Sequence, residues 1–306
     1  MKNSEDKSDL IPAPPSPAIL TYSSIVMDLC GAGIDLGAAQ NEAVILIEST
    51  AGIGRTRILL NRDIDYAAEF PQSAEVLSAA VARRMNREPL QYILGEWDFM
   101  ASTFKVGPGC LIPRADTEII CEKAIADIPT GGTFADLCTG SGCIAISILL
   151  ARPDIKSAAA VEISLEAAEY ARENARRLGV SDRLNFVIAD VTADVFGSED
   201  FFDMIISNPP YIPTNDVQNL DKELFYEPSL ALDGGGDGLD IVRSILEIYP
   251  AHVKNSGVIL IEFGYDQRDA VESILRGSNA QGRKFTYKFL SDFGKNDRAV
   301  FVKIAH

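Results

Sequence analysis

The stretch IISNPPYIP, residues 205–213, holds the residue types and spacing most suggestive of chemistry. The simplest interpretation is a turn, because Asn-Pro and Pro-Pro are frequent in loops. The alternative is a clamp for a planar nitrogen. The Asn208 side-chain oxygen and the Pro209 main-chain oxygen can both accept N–H hydrogens, Pro209 and Pro210 hold them rigidly, and Tyr211 can lie against a flat group. A nitrogen conjugated to a π system is a weak nucleophile, so its methylation needs this kind of positioning.

A second group of residues lies upstream, in TFADLCTGSGCIAIS at residues 133–147. Gly140, Gly142 and Ala145 fit the G-x-G-x-x-G/A spacing of nucleotide-binding turns. The first glycine permits a tight turn, the second lets a ligand approach the backbone, and the small third residue lets the helix meet the strand. The motif alone is weak, and an ordinary glycine turn explains it as well.

Two acids strengthen the nucleotide interpretation. Glu162 ends the next apolar strand, 20 residues after Gly142, where it can accept hydrogen bonds from both ribose hydroxyls. Asp190 ends a third strand and can bind an adenine amine. Either acid alone is equally well a solvated carboxylate at a strand end. Three ligand-type positions at successive strand ends favour binding, because ligands of open α/β sheets bind there.

The residues also indicate which nucleotide binds. Asp136 precedes the glycine turn, where it can face the cationic amino-acid end of a ligand. A dinucleotide enzyme would usually repeat a second mononucleotide-binding half, whereas the fourth strand here leads into Asn208. S-adenosylmethionine therefore fits better than NAD as the cofactor. Transfer of its methyl group to a clamped nitrogen needs no histidine base, and the chain has 2 histidines.

The elements that position these residues alternate between strand and helix beyond Thr117. This alternation predicts an α/β fold with a mostly parallel, doubly wound sheet. Apolar residues at three- and four-residue spacing predict a helical N-terminal domain at residues 19–96, which we expect to recognise the substrate. Aromatic and β-branched residues at 97–113 predict a linking β-hairpin. Residues 1–18 are predicted to be a flexible Pro-rich tail, and residues 114–306 the catalytic domain. The predicted strands are 133–137, 157–161, 184–188, 204–207, 258–262, 284–289 and 299–304.

The composition excludes several classes of function. The formal net charge is −16, with 14 acids and 9 bases in residues 1–110 and 30 acids and 19 bases in residues 111–306. Neither part is basic overall, which weighs against a nucleic-acid substrate without excluding it, because tight phosphate binding normally needs clustered Lys and Arg and a local basic strip stays possible. The 5 cysteines form no C-x-x-C pair, which predicts neither a disulfide framework nor a zinc site. Without a recognisable signal peptide or membrane span, a cytoplasmic protein that binds no metal and no membrane is expected.

Several segments resemble the peptide chain release factor glutamine methyltransferases of the HemK/PrmC type. They are GEWDFMASTFKVGPGCLIPRADTEII, DLCTGSGCIAIS, FFDMIISNPPYIP, FYEPSLALDGGGDGLD and GVILIEFGYDQ. NPPY is shared with DNA adenine and several RNA methyltransferases, but the first and fourth segments are more specific. The resemblance implies a class I, Rossmann-like S-adenosylmethionine-dependent methyltransferase with a seven-stranded sheet and a late antiparallel strand. It also implies methylation of N5 of the glutamine in the Gly-Gly-Gln motif of release factors, by a monomer whose helical domain grips the release factor.

The resemblance extends to individual residues. It implies that Glu162 holds the ribose, that Asp190 lies by the adenine, and that Asn208 touches both cofactor and substrate amide. Pro209, Pro210 and Tyr211 would complete the substrate clamp. The turn around the cofactor would consist of Cys138, Thr139, Gly140, Ser141 and Gly142.

The chain also departs from the family pattern. Cys138 stands where the family usually has glycine, Glu162 replaces the commoner aspartate, and Ala115-Asp116 replaces Pro-Glu. No role is therefore assigned to Arg114 or Glu118. Two other functions stay open: methylation of an exocyclic amine of RNA or DNA by the same clamp, and a non-enzymatic scaffold. The second is disfavoured because the cofactor glycines and the whole NPPY motif are present.

Overall fold

The computed structural model describes residues 19–280, 284–292 and 294–305, so the predicted tail at 1–18 lies outside the described residues. Within these ranges no helix has the length and apolar character needed to cross a membrane. The chain divides into two compact units after Leu94. The helices of the first unit are α1 (Tyr22–Gly31), α2 (Leu36–Ala51), α3 (Arg55–Leu60), α4 (Tyr66–Glu69), α5 (Pro71–Met85) and α6 (Leu90–Leu94). The elements of the second are β1 (Glu96–Phe99), β2 (Ser102–Lys105), α7 (Glu118–Asp127), β3 (Phe134–Leu137), α8 (Cys143–Ala151), β4 (Ala158–Glu162), α9 (Leu165–Arg177), β5 (Leu184–Ile188), β6 (Phe202–Ser207), α10 (Asp240–Ile248), β7 (Val253–Glu262), α11 (Arg268–Ala280), β8 (Lys284–Ser291) and β9 (Asp297–Ala305).

In the first unit, polar side chains cap α1 and α2 at the positions where the apolar spacing begins. Thr21 and Ser24 form a reciprocal capping box at the start of α1, and the Asp35 carboxylate caps α2. Arg84 of α5 donates hydrogen bonds of 2.7 and 3.1 Å to the Glu42 carboxylate of α2. This bidentate ion pair, in which Arg84 is buried, holds α5 against α2.

The predicted hairpin is present but shorter than residues 97–113. Strands β1 and β2 pair Glu96 with Lys105, and the chain reverses at Met100, which has a φ of +52°. The Met100 N–H donates to Glu118 Oε1 at 2.7 Å. A distant carboxylate therefore stabilises a left-handed turn residue where glycine or asparagine would be usual. Residues 106–113 continue as a loop.

The second unit contains one seven-stranded sheet with the order β5-β4-β3-β6-β7-β9-β8. The first five strands are parallel, and β9 is antiparallel to both of its neighbours. The predicted mostly parallel, doubly wound sheet with a late antiparallel strand is confirmed. From β3 the chain builds outward through β4 and β5, then returns to place β6 on the other side of β3.

Two cores, one on each face of the sheet, hold the strands in register. Phe134 and Met204 belong to the core that contains residues of α7, α8 and α9, and Ala135 and Ile205 to the core that contains residues of α10 and α11. Successive strand residues thus point into opposite cores, as expected for a sheet covered on both faces. Because a slip of one residue would exchange the faces, this packing fixes where the strands end.

Candidate active site

The carboxyl ends of β3 and β6 lie side by side at the point where the strand order reverses. Ligands of open α/β sheets bind at such a point. Residues 138–142 follow β3 and Asn208 follows β6, so the topology brings together the two groups singled out in the sequence. Asn208 lines three cavities here, which we number first, second and third as they are introduced.

The turn after β3 uses left-handed backbone at Cys138, Gly140 and Gly142, with φ of +62°, +56° and +80°. A Cβ on Gly142 would lie 2.9 Å from Ile146 and 3.2 Å from Ala171 of α9, so this glycine lets α8 pack against α9. Cys138 adopts a conformation that costs an ordinary residue about 1–2 kcal/mol. The glycine usual in the family at this position is thereby explained.

Asp136 supports this turn from behind. Its Oδ2 accepts the Thr139 hydroxyl at 2.6 Å and the Ala145 N–H at 3.3 Å. Burial raises the pKa of the carboxyl to about 7, and among the described residues Oδ1 has no hydrogen-bond partner. Asp136 is not among the residues that line the three cavities, because its side chain points toward the start of α8. Its contact with the cationic end of a ligand stays a prediction.

Glu162, the last residue of β4, joins two strand ends. Its Oε2 accepts the Gly140 N–H at 2.8 Å, and its Oε1 accepts the Ser164 N–H at 2.9 Å. Burial raises the pKa of the carboxyl, and these N–H donors oppose the rise. The side chain thus links the glycine turn to the start of α9.

The first cavity contains the predicted nucleotide residues. Glu162, Asp190, Cys138 and Gly140 line it, and Asp190 Oδ1 accepts the Thr192 N–H at 2.8 Å. A largely apolar cavity edged by three acids, Glu162, Asp190 and Asp233, suits a flat apolar ring whose polar substituents are hydrogen-bond donors. Its apolar lining includes Leu111, Val161, Ala189, Val191 and Leu230.

The second cavity is lined by all of Asn208, Pro209, Pro210 and Tyr211. Asn208 Nδ2 donates to Thr117 Oγ1 at 3.0 Å, which directs the side-chain oxygen Oδ1 away from Thr117. Burial raises the pKa of Tyr211 to about 12, so its phenol stays neutral. The third cavity, between this segment and the glycine turn, is lined by Thr139, Gly140, Ser141 and Asn208 among others.

The glycine-rich segment 233–238 braces the NPPY backbone. A Cβ on Gly234 would lie 2.6 Å from the Pro210 carbonyl oxygen, and one on Gly238 would lie 2.2 Å from the Tyr211 carbonyl oxygen. Gln267 Nε2 donates to that Tyr211 oxygen at 2.8 Å. The glycines are therefore needed for close approach of two backbone segments, a role that sequence reasoning left open.

Arg114 and Glu118, to which no role was assigned from the sequence, both make long-range contacts. Glu118 closes the hairpin turn described above. Arg114 pairs with the buried carboxylate of Glu227, which also accepts the Ile112 N–H at 3.0 Å. This pair ties the 106–113 loop, which lines the first cavity, to the segment around Glu227. The only sequence signals for these contacts are the PR-x-D-T-E and YEP patterns.

Sequence reasoning also missed Thr117 and Glu262, which lie behind and beside Asn208. Glu262 lines the second cavity together with Arg298. Across the described part of the chain, no group of three or more His, Cys, Asp and Glu side chains could hold a metal ion.

Two family models match the chain. "Methyltransferase small domain" matches residues 116–256, and "PrmC N-terminal domain" matches residues 28–95. The first match contains the glycine turn and the NPPY segment, and the second falls in the helical unit.

Curated relatives match most of the chain. The release factor glutamine methyltransferase of Rhodospirillum rubrum is 36% identical over 266 residues, which cover 86% of this chain and 78% of the relative. That of Caulobacter vibrioides is 35% identical over 272 residues, covering 88% and 90%. Among solved structures, the release factor-specific protein-(glutamine-N5) methyltransferase of Alicyclobacillus acidocaldarius is 30% identical, with a TM-score of 0.40 and coverage of 66% of this chain and 100% of that chain.

Proposed function

We propose, from the premise that this chain belongs to the release factor glutamine methyltransferase family, that it methylates N5 of the glutamine in the Gly-Gly-Gln motif of peptide chain release factors. The chain is a methyltransferase. The relatives' names support the choice of substrate. The structural observation that supports it is Asn208, which lines all three cavities and has its Nδ2 held by Thr117.

The cavity residues fit S-adenosylmethionine as the cofactor. Each Glu162 oxygen accepts one backbone N–H and keeps a lone pair for a ribose hydroxyl. The exposed Asp190 at the first cavity can accept from the adenine amine. Gly140, which has open space where a Cβ would be, permits close approach to the backbone. The third cavity, with Thr139 and Ser141, would receive the amino-acid end.

The substrate residues act by orienting the amide. When bound, S-adenosylmethionine supplies a methyl group activated by a sulfonium. We propose that Asn208 Oδ1 and the Pro209 carbonyl oxygen each accept one N–H of the glutamine amide, which aims the nitrogen lone pair at the cofactor side. Pro209 and Pro210 hold these acceptors rigidly, and Tyr211 packs on the planar group. Such positioning can lower the barrier by several kcal/mol.

The helical unit is the proposed binding surface for the release factor. This assignment is supported by the match of residues 28–95 to the PrmC N-terminal domain. The net charge of −16 favours a partner with a basic surface and disfavours direct nucleic-acid binding. We further propose that the enzyme acts as a monomer, and in the cytoplasm because release factors act on ribosomes.

The test is mass spectrometry of the Gly-Gly-Gln peptide after incubation of release factor with the enzyme and S-adenosylmethionine. We expect one added methyl on the glutamine, lost with Asn208→Ala but kept with Asn185→Ala, an exposed residue of β5. No methylation while the cofactor still binds would overturn the proposal. RNA and DNA would then be screened, because the same clamp can accept an exocyclic amine.

A further inference from the structure

The buried carboxylate of Glu227 joins two segments that are distant in the sequence. Glu227 lies between the NPPY segment and α10 and is 5% exposed. Its Oε2 accepts the Ile112 N–H at 3.0 Å, across a separation of 115 residues, and its Oε1 pairs with the Arg114 guanidinium. Both carboxylate oxygens therefore hold the segment around Glu227 against the 106–113 loop.

These two segments form part of the wall of the first cavity. The loop contributes residues 109–111, and the segment after Glu227 contributes Pro228, Leu230 and Ala231. Neither segment is a strand of the seven-stranded sheet, so their distance from the strand ends depends on contacts such as those of Glu227. Access to the cavity therefore depends on how firmly these two parts of the wall are held together.

The 106–113 loop is seated on α9. The fully buried Asn174 side chain accepts the Lys105 N–H at 2.7 Å and donates to the Lys105 carbonyl oxygen at 3.0 Å. Further along, the Gly109 backbone comes so close to α9 that a Cβ would lie 2.2 Å from the Glu166 carboxyl carbon. This part of the wall has contacts that do not involve Glu227, and we expect it to stay in place when the ion pair opens.

The segment around Glu227 is built differently. Residues 213–231 consist of short 3-10 turns and loops, and Phe225 and Leu230 on this segment are exposed. The ends of the segment are tied to each other, because the Ile212 N–H donates to the Leu232 carbonyl oxygen at 2.9 Å. Long loops with little regular structure of their own commonly serve as active-site lids. A segment with its base fixed in this way can swing away from the cavity once Glu227 is released.

The burial of the ion pair is uneven, which favours two distinct states. The Glu227 side chain is 1% exposed, whereas the Arg114 side chain is 35% exposed. A buried carboxylate without its cation is unfavourable, so the closed arrangement is favoured while Glu227 stays under the segment. When the whole segment moves outward, water can solvate both charged groups.

We propose that the Arg114–Glu227 pair is a latch that holds residues 213–231 as a lid over the first cavity, and that the cofactor enters and leaves when the latch opens. The 106–113 loop stays on α9, and the lid moves relative to it. The identity of the cofactor as S-adenosylmethionine rests on the proposed function, whereas the latch rests on the contacts of the cavity wall.

Binding kinetics of S-adenosylhomocysteine, the product form of the cofactor, test the latch. In Glu227→Gln an oxygen remains for the Ile112 N–H, but no negative charge faces Arg114. We expect the association and dissociation rate constants both to rise at least fivefold, with Kd within threefold, because a lid obstructs passage in both directions. Surface plasmon resonance on the immobilised enzyme measures both rate constants.

Arg114→Gln opens the same latch from its more exposed side, and it carries the test if Glu227→Gln does not fold. We expect the same rise in both rate constants. The double variant Arg114→Gln/Glu227→Gln should be no faster than the faster single variant, within twofold, because both changes break one interaction. Unchanged rate constants, a rise in dissociation alone, or effects that multiply in the double variant would overturn the proposal.

Asp154→Asn is the matched control. Asp154 also pairs with an arginine, Arg152, at 2.8 Å and accepts one backbone N–H, that of Gly131, at 2.8 Å. It lies between α8 and the start of β4, at the amino ends of the strands. Both rate constants should stay within twofold of the wild type, even where the melting temperature falls. A change as large as that in Glu227→Gln would show that loss of any such pair loosens the domain, and would overturn the latch.

Hydrogen exchange identifies which part of the wall moves. In Glu227→Gln we expect faster amide exchange in residues 213–231 and unchanged exchange in residues 105–109. Faster exchange in the loop alone would overturn the assignment of the lid. None of these measurements involves a release factor. An enzyme that shows the expected rate constants but does not methylate the Gly-Gly-Gln glutamine would therefore overturn the proposed substrate and leave the latch standing.

Discussion

The glycine turn after β3 and the NPPY segment after β6 each have a buried carboxyl behind them. The two carboxyls differ in their contacts. Asp136 lies behind the glycine turn and Glu262 behind Asn208, and burial raises the pKa of each to about 7. Asp136 accepts the Thr139 hydroxyl at 2.6 Å, and each carboxyl has one oxygen without a hydrogen-bond partner among the described residues. Thr139 is three residues from Asp136, whereas Glu262 shares the lining of the second cavity with Asn208 and Arg298, which belong to other parts of the chain.

This difference indicates how each segment is built. The cofactor turn is held by contacts within and between β3, β4 and the turn itself, which Asp136 and Glu162 provide. The substrate segment is held by partners from distant parts of the chain: Thr117, Gly238 and Gln267. Damage to those distant partners should therefore impair substrate positioning while cofactor binding survives.

The largest effect is expected from Gly238→Ala. Its Cβ would lie 2.2 Å from the Tyr211 carbonyl oxygen, and its φ of +79° disfavours any side chain. Displacement of the clamp by about 1 Å should lower kcat/KM for the release factor roughly 100-fold or more. Gly236→Ala is the matched control, because nothing lies within 4 Å of its Cβ position. Equal loss of S-adenosylmethionine affinity in Gly238→Ala would contradict the separation of the two segments.

Asp136→Asn tests whether the carboxyl behind the cofactor turn serves structure. In the folded chain, burial and the nearby Glu162 raise the pKa of Asp136 from 3.8 to about 7. Hydrogen bonds from Thr139 and Ala145 oppose this rise. Between these values the folded chain keeps a proton that the unfolded chain releases, so stability is lost as the pH rises. The loss between pH 5 and pH 8.5 should be roughly 2–3 kcal/mol, at about 1.4 kcal/mol per pKa unit.

Asparagine cannot ionise, so the variant should lack this part of the pH dependence. Urea unfolding of the wild type and Asp136→Asn at a series of pH values measures the difference between them, in which all other titrating groups cancel. The stability of the variant relative to the wild type should rise from pH 5 to about pH 7 and then level off toward pH 8.5. A constant difference would show that the Asp136 carboxyl is not held protonated.

Glu162→Gln should affect the cofactor side selectively. A glutamine offers one oxygen where Glu162 uses two, so either the Gly140 or the Ser164 N–H loses its acceptor. We expect S-adenosylmethionine to bind about 10-fold more weakly, which is about 1.4 kcal/mol, with kcat at saturating cofactor changed less. Glu169→Gln on the exposed face of α9 is the control. Calorimetric titration with unchanged affinity would remove Glu162 from the cofactor site.

The contrast between contacts within neighbouring strands and contacts from distant parts of the chain also separates what the sequence could predict from what it could not. Apolar periodicity predicted all seven strands of the sheet, because both faces of β3 and β4 are buried in cores. The G-x-G-x-x-A turn and the acid at Glu162 were recognisable because they follow or end two consecutive strands, β3 and β4. The contacts of Thr117, Glu227 and Glu262 were not recognisable from spacing, because they depend on how distant elements pack. The hairpin pairing extends only to Lys105, and the carboxylate that stabilises its turn at Met100 comes from Glu118, at the start of a different element.

The smallest effect concerns Cys138, whose φ of +62° is strained for a residue with a Cβ. Removing the sulfur also removes packing, so the informative comparison is between Cys138→Gly and Cys138→Ala. Cys138→Gly should be more stable than Cys138→Ala by about 1 kcal/mol. The strain that glycine relieves in the folded chain exceeds the cost of the greater freedom it gives the unfolded chain.

At Cys121, inside α7, the backbone is helical and the same pair should differ by about 1 kcal/mol in the opposite direction. Urea unfolding of the four variants measures both differences. If alanine were as stable as glycine at position 138, the backbone of the glycine turn would have adapted to a side chain. The glycine turn would then deform more easily than the NPPY segment. The reversed sign at Cys121 separates this result from a general effect of glycine, because only the turn residue has a positive φ to relieve.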